Sequence, residues 1–362
     1  MSLSVGIVGL PNVGKSTTFN ALLKRKQAAA SNFPFCTIDP NVGVVNVPDE
    51  RLEQLARVSK SKKIVPTAIE FLDIAGLVAG AHKGEGLGNK FLSHIREVDA
   101  IIEVVRNFQN PDITHVAGKI SPEDDIATIN LELIMADLQA AENRLNKLVK
   151  DAKSGDKKLI TEKQVLEKVK TELEQERPVR DMQFTDEEKQ AIKPYNFLTA
   201  KPILYLINVD EKNQGIQSPI GNWIPKQTPH IIINAQIESE IAELPESEQA
   251  EYKKELGITE TGLDKLITAS YKLLNLITFL TSGEPETRAW TVRQGALAPE
   301  AAGVIHTDFI KSFIRAEVIP WQDFVACGGW SKAKEKGLIR TEGKTYEVKD
   351  GDTCIFINSI NK

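Results

Sequence analysis

Gly9-Leu10-Pro11-Asn12-Val13-Gly14-Lys15-Ser16-Thr17 is the stretch whose reading decides the fold. It satisfies G-x-x-x-x-G-K-[ST] at every defined position. The apolar run Val5, Ile7, Val8 precedes it and the helix-compatible segment Thr18 to Lys24 follows, so strand, loop and helix stand in the required order. In such a loop main-chain N–H groups curl round phosphate oxygens, a lysine reaches the β and γ oxygens, and a hydroxyl takes a place on Mg²⁺. Here Asn12, Val13, Gly14 and Thr17 supply the cradle, Lys15 the cation and Ser16 the hydroxyl. A Cβ at position 14 would block the approach. The plainer alternative, a glycine turn beside an incidental lysine, does not account for both flanks.

Working outward, the bulk composition narrows the class. At 362 residues the chain has room for two or three domains. No run of eighteen apolar residues occurs, and Leu3 to Val8 leads straight into the loop without a basic leader, so a cytoplasmic protein with no membrane partner is expected. Cys36, Cys327 and Cys354 have no C-x-x-C spacing, which argues against a zinc site and fits buried thiols in a reducing compartment. A net charge of -5 speaks against a generally basic nucleic-acid binder, and no DNA-sequence reader is expected.

The segment Phe33-Pro34-Phe35-Cys36-Thr37-Ile38-Asp39-Pro40 reads as a loop, because two prolines bar helix and central strand. Thr37 is the first threonine after the opening helix placed to offer its hydroxyl to the cation. Ala68 to Asp73 reads as a strand ending in Asp73-Ile74-Ala75-Gly76. An acid there belongs on the Mg²⁺ side, and the N–H of Gly76 faces the γ-phosphate. Gly80, Gly84, Gly86 and Gly88 follow, as in a loop ordered by that phosphate. The next residue after Gly76 is Leu77, where Ras relatives carry a water-orienting glutamine. Of the five histidines none has metal-ligand spacing. His115, in the loop after the strand Ala100 to Val105, is the candidate for swinging toward the γ-phosphate and placing the water; His82 is weaker.

From Ser121 the texture changes. Ser121-Pro122-Glu123-Asp124 opens a helix, on which Ile134, Leu138, Ala141, Leu145, Leu148 and Ala152 form an a/d seam. Thr161-x-x-Gln164 starts a second helix continuing the seam through Leu166, Val169 and Leu173, and Thr185-x-x-Glu188 a third. This predicts an antiparallel coiled-coil hairpin. Ile203 to Ile207 returns to a buried strand and leads into Asn208-Val209-Asp210-Glu211. Guanine-specific relatives carry Asn-Lys-x-Asp here, the acid accepting from guanine N1–H and the 2-amino group. Adenine offers that acid nothing, and Glu211 spoils the fork, so Asn208 and Val209 are expected to read adenine. Strand His230 to Ala235 ends at the base, at Asn234-Ala235. Then Ile277 to Leu280 and Thr287 to Val292 form a hairpin, a helix lies around Ala301 to Phe313, and Glu347 to Ile357 supplies closing strands.

These motifs resemble those of the YchF, or Obg-like, ATPase family of translation-factor-related P-loop NTPases. The likeness rests on the opening stretch, Pro34-Phe35-Cys36-Thr37-Ile38, Asp73-Ile74-Ala75-Gly76-Leu77-Val78, Gly84-Glu85-Gly86-Leu87-Gly88-Asn89 and Arg288-Ala289-Trp290-Thr291-Val292. The resemblance covers essentially the full length. It implies an α/β Ras-like P-loop domain (1–128 and 199–276), an inserted antiparallel coiled coil (129–198) and a C-terminal α+β TGS domain, a β-grasp (277–362). It further implies ATP preference through the altered Asn-x-x-Glu motif and engagement of ribosomal RNA or protein. Asn12 matches the asparagine that ligates K⁺ in potassium-dependent cousins.

The expectation is a Mg²⁺-dependent ATPase switch releasing ADP and phosphate slowly. Lys15 stabilises the transferring group, Ser16 and Thr37 hold Mg²⁺ with Asp73 behind them, and His115 places the water. A GTPase of the ribosome-assembly kind and a nucleotide-gated adaptor with incidental hydrolysis stand as alternatives.

Overall fold

The computed structural model describes residues 3–29, 41–75, 87–110, 119–151, 156–211, 224 and 228–359. In chain order the elements are β1 (Ser4–Val8), α1 (Lys15–Ala29), β2 (Val42–Asn46), α2 (Arg51–Ser59), β3 (Ile64–Val65), β4 (Ala68–Asp73), α3 (Leu87–Glu97), β5 (Ala100–Asn107), α4 (Pro122–Asp151), α5 (Lys157–Leu173), α6 (Asp186–Ile192), β6 (Ile203–Val209) and β7 (His230–Ile233). There follow α7 (Ala235–Glu243), α8 (Glu246–Glu255), α9 (Gly262–Leu273), β8 (Leu276–Ser282), β9 (Thr287–Arg293), α10 (Ala298–Ile305), α11 (Asp308–Ser312), β10 (Phe313–Pro320), α12 (Trp321–Cys327), α13 (Trp330–Glu335), β11 (Arg340–Glu342) and β12 (Asp352–Asn358). They form two compact units. The first holds Met1–Arg25, Ile38–Gly43 and Glu70–Leu263; the second holds Lys26–Thr37, Val44–Ile69 and Asp264–Lys362. No described helix is long and apolar enough to cross a membrane.

The first unit is built on a sheet ordered β2-β4-β1-β5-β6-β7. From β4 to β7 each neighbouring pair is parallel. Strands β1, β5 and β6 are almost wholly buried, which is why they read as continuous apolar runs rather than alternating ones. Parallel pairing puts the carboxyl ends of β1, β4, β5, β6 and β7 along one rim, where α/β sheets hold ligands.

Helices α4 and α5 of this unit lie side by side. Ile134, Ala141 and Leu148 pack with Val165, Leu166, Val169 and Leu173, so the seam read from sequence is a buried one. Across it Arg144 Nε meets Glu162 Oε1 at 2.8 Å and Lys170 Nζ meets Glu142 Oε1 at 3.0 Å. Ala152 of that seam lies outside the described residues. Where the chain rejoins the sheet, buried Asp137 accepts from Leu198 N (2.9 Å), Thr199 N (2.7 Å) and Thr199 Oγ1 (2.7 Å). The Thr185 and Glu188 capping box before α6 is present as expected. Helix α5 starts four residues ahead of the expected Thr161, because the Asp156 side chain accepts from Lys158 N and caps it there.

In the second unit a separate sheet runs β11-β10-β12-β8-β9-β3. Hairpin β8–β9 is antiparallel, with Phe279 opposite Trp290 and Leu280 opposite Ala289. Alternation sends successive residues to opposite faces. Phe279, Val292 and Val318 pack on one side with Ala298, Ala301 and Ala302 of α10. Leu280, Ala289 and Ile319 pack on the other with Leu52 and Leu55 of α2 and with Phe324, Cys327 and Ala333. Helix α2 and strand β3 pack here: α2 completes this core and β3 pairs in parallel with β9.

Two other expectations change. The helix foreseen around Ala301 to Phe313 stops at Ile305, since His306 is extended (φ -156°), and Phe313 already starts strand β10. Of the closing strands foreseen over Glu347 to Ile357, only β12 forms, after a turn in which Gly351 sits at φ +81°. Glu347 makes just an isolated bridge to Leu297.

Candidate functional site

Helix α1 begins at Lys15, inside the motif rather than at Thr18, so its first turn carries Lys15, Ser16 and Thr17 directly beneath the loop. Unpaired N–H groups at such a start attract anions. The loop turns on two glycines, Gly9 at φ +155° and Gly14 at φ +103°. A Cβ on Gly14 would stand 2.3 Å from Asn208 Nδ2, and one on Gly9 2.7 Å from the Val104 carbonyl. The Gly14 carbonyl accepts from both Thr18 N and Thr18 Oγ1 at 3.0 Å, which fixes the loop on the helix. Asn12 adopts φ +64° at the loop's outer bend.

Lys15 is buried, with Nζ 3.4 Å from the Leu10 carbonyl. Burial lowers its pKa, and Asp73 at the end of β4 pulls it back up. Asp73 is raised by its own burial and drawn down by the Lys15 ammonium and the Ser16 hydroxyl. Its Oδ1 is buried without a hydrogen-bond partner among the described residues. An orphaned carboxylate oxygen beside an exposed hydroxyl is a hard-oxygen donor set that fits Mg²⁺, the ion P-loop NTPases generally use. Ser16 would hold the ion with Asp73 behind it. Bound there, the ion would neutralise charge on the phosphate oxygens.

The opposite wall of the cleft comes from β5, β6 and β7. A cavity of ≈ 540 Å³ is lined on one side by Asn12, Gly14, Lys15, Ser16 and Thr17 and on the other by Phe108, Asn208, Val209, Glu211 and Ala235. That is the size of a small-molecule site. The Asn208 side chain, expected to face a base, is bonded at both ends: Nδ2 donates to the Val13 carbonyl (3.0 Å) and Oδ1 accepts from Ala235 N (3.0 Å). It thereby ties the phosphate loop to the start of α7, with one N–H and one lone pair left for a ligand. Val209 is buried and Glu211 is exposed at the rim. Asn234 caps α7, accepting from Gln236 N and Ile237 N. Thr37, Gly76, Leu77, His82 and His115 lie outside the described residues.

Arg106 was passed over in the sequence, although a cation at the end of an apolar strand is itself a signal. It is 1% exposed, and its guanidinium donates to the carbonyls of Phe108 (3.3 Å), Asn12 (3.4 Å) and Asn110 (3.5 Å). It also lies 4.5 Å from the Phe108 ring centroid. One side chain thus joins the phosphate loop to the loop that walls the cleft. The whole arrangement can cradle a polyanion at one end and a planar base at the other.

Residues 4–136 match a family described as a 50S ribosome-binding GTPase, and residues 276–358 match YchF-GTPase_C, described as a protein of unknown function (DUF933). The chain is 53% identical to the ribosome-binding ATPase YchF of Bacillus subtilis (strain 168), over 98% of this chain and 99% of that protein. It is 55% identical to the protein of the same name from Haemophilus influenzae, over 98% and 99%, and 50% identical to that of Escherichia coli O157:H7, over 99% and 100%. A solved structure of the Schizosaccharomyces pombe YchF GTPase matches with a TM-score of 0.88 at 38% identity, covering 98% of each chain. With more than half of its residues identical to such relatives over 98% of its length, the chain belongs to the YchF family.

Proposed function

We propose that this chain is a Mg²⁺-dependent ATPase that binds ribosomes and switches its affinity for them with nucleotide state. The observation that carries ATP hydrolysis is the cleft. Its phosphate end has the glycine cradle, Lys15 and the orphaned Asp73 oxygen, while its base end has exposed Glu211 where a guanine reader needs an aspartate. Lys15 and the loop amides stabilise charge on the transferring phosphoryl group. Ser16 and Thr37 would hold Mg²⁺, the Gly76 N–H would face the γ-phosphate, and His115 would place the water. Asn12 would be the ligand for K⁺. Asn208, Val209 and Ala235 border the adenine.

Ribosome binding is supported by the names of the bacterial relatives, and a cytoplasmic location goes with it. Residues 1–128 with 199–276 act as the nucleotide domain, 129–198 as a coiled-coil arm, and 277–362 as a TGS β-grasp against which α2 and β3 pack. GTP hydrolysis is the second reading, favoured by the wording attached to the fission-yeast structure and to the N-terminal family. Calorimetric titration separates them: ATP binds at least about tenfold tighter than GTP, a gap of about 1.4 kcal/mol. Equal or reversed affinities sink the ATP assignment. Lys15→Ala abolishes phosphate release; unchanged release removes the site.

A further inference from the structure

Residues 196–201 carry the chain from the helical hairpin back to the sheet, and both sides of this short stretch are engaged. Phe197 and Leu198 are buried, and Leu198–Ala200 forms a single tight turn. On the hairpin side, Asp137 of α4 accepts from the N–H groups of Leu198 and Thr199 and from the Thr199 hydroxyl. That hydroxyl oxygen in turn accepts from Val179 N (3.1 Å), beyond the end of α5. Arg180 donates to the Thr199 carbonyl (3.4 Å) and to Asn130 Oδ1 of α4 (2.9 Å).

On the sheet side the partner is α3. Lys201 is 7% exposed, and its Nζ donates to the carbonyls of Val98 (2.5 Å) and Arg96 (3.1 Å) and to Asn196 Oδ1 (3.3 Å). Asn196 Nδ2 donates to the same Arg96 carbonyl (2.8 Å). Carbonyls at a helix end lack partners within the helix and carry the negative end of its dipole, so a cation is stabilised there. An ammonium has three N–H groups, and here each has an acceptor, which is what allows the charge to be buried. A second contact leads from this end of α3 toward the cleft. A Cβ on Gly6 would stand 2.5 Å from Ile74 Cδ1 and 3.1 Å from Val98 Cγ2, so both side chains press on the same glycine. Ile74 directly follows Asp73, the carboxylate of the phosphate end.

We propose that Lys201 and Asn196 latch the end of α3 to the root of the helical hairpin, so that a shift of α3 on nucleotide exchange is delivered to the hairpin. The latch stands on the bonds above; its nucleotide trigger rests on the ATPase reading. Close-packed elements joined in this way pass a displacement on rather than absorb it.

Hydrogen exchange of the full chain tests the proposal. Wild type is compared with Lys201→Met, which removes the donors, and with Asn196→Gly, which removes the amide at a φ of +44° that glycine accepts. Each variant keeps the wild-type circular dichroism spectrum. Without nucleotide, Asp137→Asn loosens the hairpin root, and exchange over residues 91–97 of α3 rises with it by at least about threefold. In the Lys201→Met background the same change leaves 91–97 where it was. An α3 indifferent to Asp137→Asn, or equally responsive in both backgrounds, overturns the latch. Between ADP and a non-hydrolysable ATP analogue, each with Mg²⁺, exchange over 130–140 and 196–201 differs by at least about threefold in wild type. Both variants lose that difference, while 91–97 still responds and both nucleotides bind as tightly as before. A root that ignores nucleotide state in wild type, or responds undiminished in the variants, overturns the delivery. Should neither nucleotide bind, the function proposed above falls, and the nucleotide-free comparison decides the latch by itself.

Discussion

Gly14 occupies a backbone state and a space that no other residue fits, since a Cβ would overlap the amide of Asn208. Gly14→Ala should therefore abolish nucleotide binding in calorimetry while leaving the circular dichroism spectrum unchanged. Arg106 is a different kind of position. Its three carbonyl contacts hold the phosphate loop and the Phe108 loop in one geometry, which lysine cannot reproduce. Arg106→Lys should weaken ATP binding about tenfold, or about 1.4 kcal/mol, with a smaller change in kcat; an unaltered Kd would show that the two loops hold without it. At this scale the backbone shape of the phosphate loop was legible in the sequence, because a glycine–lysine–serine spacing has few other uses. The sequence was less clear about Asn208, whose bonds to Val13 and Ala235 join residues far apart in the chain. No local pattern encodes such a bond.

Among the elements, β5 carries an unusual burden. Glu103 is fully buried between sheet and α4, with neither carboxylate oxygen hydrogen-bonded among the described residues. Burial drives its pKa well above the ordinary 4.5; Arg180 draws it down and Asp125 pushes it further up, with Tyr205 also nearby. The folded form thus holds a proton that the unfolded chain releases, so this group's contribution to stability is fully present below pH 4.5 and is lost as pH rises toward the raised folded value. Glu103→Gln should melt about 2–4 °C higher than wild type at pH 7, the gap closing below pH 4.5. Asp137 serves the opposite purpose, taking three hydrogen bonds where the helical hairpin rejoins the sheet. Asp137→Ala should cost on the order of 3 kcal/mol in urea unfolding, because two buried amides lose their acceptor. Periodicity made the α4–α5 seam and the buried strands legible. It failed at β10, where Phe313-Ile314-Arg315-Ala316 follows two short helices without proline or glycine to mark the change, and at the α5 start, where one aspartate side chain decided the boundary.

For the whole molecule, α2 and β3 stand early in the chain but pack with residues that lie beyond 276. Leu52, Leu55 and strand β3 find their partners among residues 280–333, so a fragment ending at 275 leaves that surface uncovered. Such a fragment should aggregate or bind a hydrophobic dye on expression, whereas the full chain stays monodisperse in size-exclusion chromatography. A soluble, cooperative fragment would mean that α2 is stable alone. The discontinuity also has a consequence during synthesis. Ile69 and Asp264, which border the two main stretches of the second unit, are 195 positions apart (264 - 69). At about 5–20 residues per second, the ribosome needs roughly 10–40 s to bridge that gap. Throughout that interval the nascent chain displays the apolar face of α2 and an unpaired strand to the cell, so newborn copies of this protein should call on a chaperone before they can call on a nucleotide.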